Sequence, residues 1–205
     1  MDYTKLAGQE TIAKTIEALA ANNFEGIAVS SKEEALKKIK ELIPQGASVM
    51  NGSSRTLDEI GFTEYLKEGA HGWNNLHVGI LAEQDQAKQG ELRRQSSLSD
   101  YYLGSAHAVS ETGELVFASN TGSQLPHLAF TSPNIILVVG AQKVTPTLAD
   151  ALTRVQEYVV PLENERAQTA YGSNTVYAKT LILHKENPMM GRKVRIIFVS
   201  EALGF

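Results

Sequence analysis

No cysteine occurs anywhere in the 205 residues. That absence excludes disulfides, thiolate zinc sites and cysteine-ligated iron–sulfur clusters within the chain. Excess positive charge is missing too. Against 23 acidic residues stand 19 basic ones, a formal charge of −4, which gives no electrostatic grip on nucleic acid. No apolar run approaches the roughly 20 residues needed to span a bilayer. The opening MDYTKLAGQETIAKTIEAL lacks the apolar core of a signal peptide. A soluble, cytoplasmic protein is the expectation, without membrane or nucleic acid as a partner. The five histidines (His71, His77, His107, His127 and His184) form neither HExxH nor any paired spacing, so no metal site is expected.

What is present suits one packed unit. A 42% hydrophobic composition can fill a sizeable core at this length. No repeat and no linker divides residues 1–205, so they read as a single domain. Residues 1–22 read as an N-terminal helix, with Ile12, Ile16 and Leu19 at helical spacing and Asn22-Asn23 at its close. The segment FEGIAV then reads as a strand. Ser31 and Glu34 form a capping-box pair before a helix whose face carries Leu36, Ile39 and Ile43 and which Pro44 stops. ASVMN reads as the next strand. NIILVV, Asn134 to Val139, is apolar at nearly every position, as expected of a strand covered on both faces of a parallel sheet. Thr145-Pro146 predicts a helix start with proline at its first position, followed by a stripe of Leu148, Leu152, Val155 and Val159. YAKTLILH and KVRIIFV read as late strands. Alternating strands and helices predict an α/β fold: a three-layer α/β/α sandwich on a mostly parallel sheet.

Two stretches break this rhythm, residues 82–100 and then GSAHAVSETGELVFASNTGSQLPHL, where a strand-like LVFAS lies between two glycine turns. Residues 82–100 are polar and glutamine-rich, with Leu92 and Leu98 as their large apolar residues. They form a polar excursion that reads as a solvated helix, a lid or a dimer arm, the last of which would serve a homo-oligomer.

Three clusters carry candidate chemistry. In VMNGSSRTLDEIGF, a strand leads through Asn51, Gly52, Ser53 and Ser54 into a helix. Free N–H groups at a helix start, with hydroxyls beside them, suit an anion. The structural alternative is a turn with a cap: Ser54 or Thr56 can cap, and Thr56 with Glu59 fits a capping box. In SAHAVSETGEL, His107 and Glu111 are four residues apart. A helical turn would set them on one face as an acid–base pair, and a surface ion pair is the alternative. Thr112 and Gly113 follow in the same turn. In SNTGSQLPH, Asn120, Thr121, Gly122 and Ser123 offer further ligand groups, or simply a turn and a cap.

The order of SSRTLDEIGF, SAHAVSETGELVFASNTGS, SPNIILVVGAQKVTPTLADAL and VRIIFVSEAL resembles the LUD domain family, the lactate-utilisation family of LutC and YkgG type. The resemblance runs from about Ala20 to the C-terminus. It implies a fold similar to the group of NagB, ribose-5-phosphate isomerase and the CoA transferases, in which the loop after an early strand, here Asn51 to Ser54, cradles phosphate or carboxylate. It further implies a role in oxidising L-lactate to pyruvate beside partner proteins that carry iron–sulfur clusters. This chain, holding no cofactor of its own, would be the small cluster-free component binding a small anionic metabolite. Two other readings stand beside it: an independent isomerase or cyclo-ligase type enzyme, and a metabolite-sensing binding module.

Overall fold

The computed structural model describes all 205 residues, the side chain of Tyr171 excepted. Eight residues precede α1 (Gln9–Ala21), so the N-terminal helix is shorter than the expected residues 1–22. Gly8 opens it without a side-chain cap, and Asn23, at φ 61°, turns the chain out of it. Then come β1 (Glu25–Val29), α2 (Lys32–Leu42) and β2 (Ser48–Asn51). Ser31 does cap α2, accepting from the Glu34 amide, but the Glu34 carboxylate reaches one residue further back, to the amide and hydroxyl of Ser30. After β2 the chain makes α3 (Arg55–Glu59), α4 (Phe62–Glu68), the short β3 (Asn74–Asn75), α5 (Leu76–Ala82) and α6 (Gln86–Gln95). The expected polar excursion is thus largely an ordered helix. Its N-cap Asp85 accepts from two amides, and α6 buries none of its residues.

The second half opens with β4 (Tyr101–Gly104) and a hairpin of β5 (Ala108–Ser110) and β6 (Leu115–Ser119). β7 (Asn134–Gly140), β8 (Val144–Thr145), α7 (Leu148–Arg154), α8 (Val160–Tyr171), β9 (Lys179–Leu183) and β10 (Lys193–Val199) complete the chain. A wide helical turn, Val155–Val159, joins α7 to α8. Pro146 lies before α7 rather than at its first position. Thr147 takes the cap, because its hydroxyl accepts from the Asp150 amide while Asp150 accepts from the Thr147 amide. That reciprocal pair outcompetes the weaker proline signal.

Six strands form one sheet in the order β1-β10-β7-β4-β2-β3, every neighbouring pair parallel. The NIILVV segment lies near its middle, between β10 and β4, which explains its unbroken apolar run. Ile135, Leu137 and Val139 project to one face and Ile136 and Val138 to the other. Ala35 and Ile39 of α2, Leu57 of α3 and Phe62 of α4 cover one of those faces. Ile12 and Leu19 of α1 cover the other, together with Val109, Leu115 and Phe117 of the hairpin. The result is an α/β/α sandwich on a parallel sheet.

One element departs from expectation. YAKTLILH joins a second, four-stranded sheet in the order β8-β5-β6-β9, where β9 runs antiparallel to β6. Ala108 and Val116 face outward from that sheet onto Ala151 and Val155, so α7 backs it. Only β10 of the two late strands lies in the main sheet.

Candidate functional site

Because the main sheet is parallel, the ends of β2, β4 and β7 open on one side. Beyond β2 the chain crosses to α3 on one face, whereas beyond β4 it enters the hairpin on the other. Neighbouring loops that leave in opposite directions open a crevice at the carboxyl ends of the strands. A cavity of about 360 Å³ lies there, walled by the loop after β2, the β4–β5 connection, the turn after β6 and the segment after α8. That volume suits a small metabolite.

Lys143, in the turn after β7, is the central side chain. It is buried at 3% exposure, and its Nζ donates to Thr56 Oγ1 at 2.9 Å and to Ser105 Oγ at 3.0 Å. Among the described residues no carboxylate forms an ion pair with it. Burial, with the Arg154 guanidinium nearby, pushes its pKa down to about 7, while Glu59 pulls weakly the other way. The amine therefore sits close to half-protonated at neutral pH.

Thr56 is a buried anchor rather than a cap. Its hydroxyl receives Lys143 and donates to the Leu203 carbonyl. Ser54 caps α3 instead, accepting from the Leu57 amide. Glu59 does not reach back as a capping-box partner; it accepts from the Gly204 amide and pairs with Arg55. Gly204 itself is constrained by this packing. It sits at φ 63°, and a Cβ there would stand 2.4 Å from Thr56 Oγ1. α3 has only 5 residues, and of the expected helix-start donors the Gly52 amide already donates to Leu103 O. Lys143 adds positive character to the site, with Arg55 and Arg166 also in the cavity walls.

Gly52 is required for a different reason: a Cβ on it would meet the Tyr102 hydroxyl at 2.5 Å. That ring is buried and stacks on His127 at 4.3 Å. Burial holds the Tyr102 phenol above its usual range, so it stays protonated.

The expected His107–Glu111 pair does not form. The segment runs into strand β5, not a helical turn, and a strand separates residues that a helix would stack. His107 lines the cavity. Its Nδ1 accepts from the Ala118 amide at 3.2 Å, which leaves the proton on Nε2, and Arg154 Nη1 donates to its carbonyl at 2.6 Å. Enclosure first, then the Lys143 and Arg154 charges, hold its pKa down at about 3. Glu111 lies in the hairpin turn and pairs with Lys14 of α1 at 3.0 Å. Thr112 bonds to Ser110 and Glu114 in that turn, and Gly113, at φ 92°, is pressed against the end of α1. These three do not line the cavity.

The cavity gathers Gly52, Ser53, Ser54, Thr56 and His107 with Asn120, Thr121 and Ser123. Asn51 lies just behind the loop: its carbonyl accepts from His77 Nε2, and its buried Oδ1 has no partner among the described residues. Gly122, at φ 88°, gives the turn its shape, with its amide bonded to Ser119 Oγ. Sequence reasoning missed Lys143, Ser105 and the fully buried Arg154. A lysine directly after the most apolar strand, in VGAQK, was the available signal for the first. Arg154 lies beside the apolar stripe of Leu148, Leu152, Val155 and Val159, and its burial rests on contacts distant in sequence, such as that to the His107 carbonyl.

Solved structures similar to this chain include the following two. A DUF162 family protein from Deinococcus radiodurans matches with 13% identity and a TM-score of 0.54, over 96% of this chain and 100% of that one. Ribose 5 phosphate isomerase A from Neisseria gonorrhoeae matches with 15% identity and a TM-score of 0.35, over 76% of each chain. The first shares the fold. A comparison with curated proteins gives no match. Among known families, the LUD domain matches residues 12–198, nearly the whole sandwich and the cavity walls apart from Gly204 and Phe205. The chain belongs to the LUD domain family.

Proposed function

We infer that this LUD domain protein is a LutC-like, cluster-free component of a system that oxidises L-lactate to pyruvate. In this reading it holds a small carboxylate in the cavity at the strand ends, and partner proteins bear the iron–sulfur clusters. Family membership supports the lactate-utilisation setting. One observation carries the ligand class: Lys143 is buried beside the cavity with two hydroxyls for company and no carboxylate. A buried cation without a counter-charge is costly, and a bound anion supplies one.

Thermal unfolding with L-lactate, pyruvate, sulfate and sugar phosphates tests this. A carboxylate at about 100 times its Kd should stabilise the fold by roughly 2.7 kcal/mol, a shift of several degrees at this size. Lys143→Met should abolish that shift. No response to either carboxylate, or an undiminished response in folded Lys143→Met, would sink the reading.

A second reading, an isomerase or cyclo-ligase type enzyme, is favoured by the near-neutral pKa of the same lysine, which suits proton transfer. Turnover of a sugar phosphate by the isolated chain would select it.

A further inference from the structure

Lys143 has a chemical capability beyond binding. It lies at the meeting point of three strand ends, with its Nζ within hydrogen-bonding distance of two hydroxyls, Thr56 at 2.9 Å and Ser105 at 3.0 Å. Neither hydroxyl is charged, so neither holds the amine as an ammonium. The charged groups that face it come from different elements: Arg154 from α7 opposes its charge, and Glu59 from α3 favours it more weakly, while His107 from the β4–β5 connection, held at a pKa of about 3, is uncharged at neutral pH. Arg154 cannot turn away, because it is completely buried and its Nη1 is fixed to the His107 carbonyl. The surroundings thus favour the free amine, the nucleophilic form.

We propose that Lys143 is a catalytic nucleophile that condenses with the carbonyl of a small aldehyde or ketone bearing a carboxylate. This rests on the carboxylate reading of the cavity and assigns the reacting atom within it. The Nζ lone pair adds to the carbonyl carbon, and the carbonyl oxygen takes up a proton as nitrogen loses one, giving a carbinolamine. A second proton on that oxygen lets it leave as water while the C=N bond forms and nitrogen sheds its remaining surplus proton. The balance is amine plus carbonyl to imine plus water, with no oxidant or reductant. Ser105 and Thr56 stand where both proton transfers occur. Tyr102, whose hydroxyl reaches the Gly52 loop, and the wall of Ser53 and Ser54 leave polar contacts for the carboxylate beyond the reacting carbon.

The test is reductive trapping of the full chain with pyruvate or glyoxylate and sodium borohydride near neutral pH, followed by peptide mass mapping. Hydride reduces the imine to a stable secondary amine, so the modified peptide gains the mass of the oxo acid less one oxygen atom. Lysines with ordinary pKa values are ~1,000-fold less deprotonated than Lys143 at pH 7, so the adduct should concentrate on Lys143. Lys143→Arg keeps a cation and should lose the adduct, and Lys143→Met should lose it too. Adduct spread over surface lysines overturns the proposal, as does adduct that persists in either variant. A thermal shift with pyruvate but no adduct overturns the imine while leaving the carboxylate reading standing. Neither shift nor adduct overturns both.

Discussion

At the scale of single residues, the buried Lys143 and Arg154 and the half-buried His107 set the electrostatics of the cavity. Each has its pKa lowered by burial, and the Arg154 charge further lowers those of Lys143 and His107. Arg154 is the costliest of them, since its Nε and Nη2 have no partner among the described residues; the Tyr158 ring, 5.1 Å from its guanidinium carbon, offers only a cation–π contact. The sign of the Lys143 effect on stability follows from linkage. Its folded pKa of about 7 lies below the ordinary lysine value of 10.5. Under about pH 7 both states hold the proton, and the native state carries the full cost of a buried charge. Between about pH 7 and 10.5 the unfolded chain binds more protons, so stability rises with pH there. Urea unfolding of wild type and Lys143→Met across pH 6–10 should therefore show the difference moving in favour of wild type, by up to ~1.4 kcal/mol per pH unit. In the same variant the NMR titration of His107 should shift upward, because a neighbouring cation has gone. A pH-independent stability difference would mean that Lys143 titrates normally.

At the scale of elements, local signals were read well where one mechanism dominated. β7 was legible because a strand covered on both faces needs an apolar residue at every position. The Ser31 and Ser54 caps were visible because a hydroxyl before an apolar-periodic run satisfies free amides. The misreadings fell where two local signals competed. Thr56 has cap chemistry, yet its hydroxyl is taken by Lys143 and Leu203, contacts 87 and 147 residues distant in sequence. Likewise, His107 and Glu111 have helical spacing, yet Val109 and Val116 are better buried as a hairpin. α7 shows the strength of a complete cap. Thr147→Ala removes the hydroxyl of the reciprocal pair with Asp150 and should cost about 1 kcal/mol, lowering Tm by roughly 2–4 °C. Thr147→Ser should restore most of it. An unchanged melting temperature for the alanine variant would show that packing of Ala151 and Val155 on the small sheet holds α7 without its cap.

At the scale of the whole molecule, the parallel sheet was legible and the second sheet was not. LVFAS and TLILH have the same alternation whichever sheet they join; what unites them is the pairing of Leu115 with Leu183 and Ser119 with Lys179, which no local pattern encodes. The cavity inherits that limitation, since its walls come from segments spread from Gly52 to Phe205. Stability should be distributed just as unevenly. β7 and β10 are hydrogen-bonded to each other over seven residue pairs and sealed by helices and the hairpin. α6 buries nothing, so opening it exposes little apolar surface and costs little. Native-state hydrogen exchange should find the β7 and β10 amides slowest, opening only with global unfolding, and the α6 amides fastest among the helices. Raising the protein concentration separates two sources of any protection in α6. Val78 and Leu81 on neighbouring α5 are 64% and 71% exposed, so a partner copy seated on this side would slow α6 exchange as concentration rises. Concentration-independent protection of α6 equal to that of β7 would contradict the placement of the core between the two sheets and their helices.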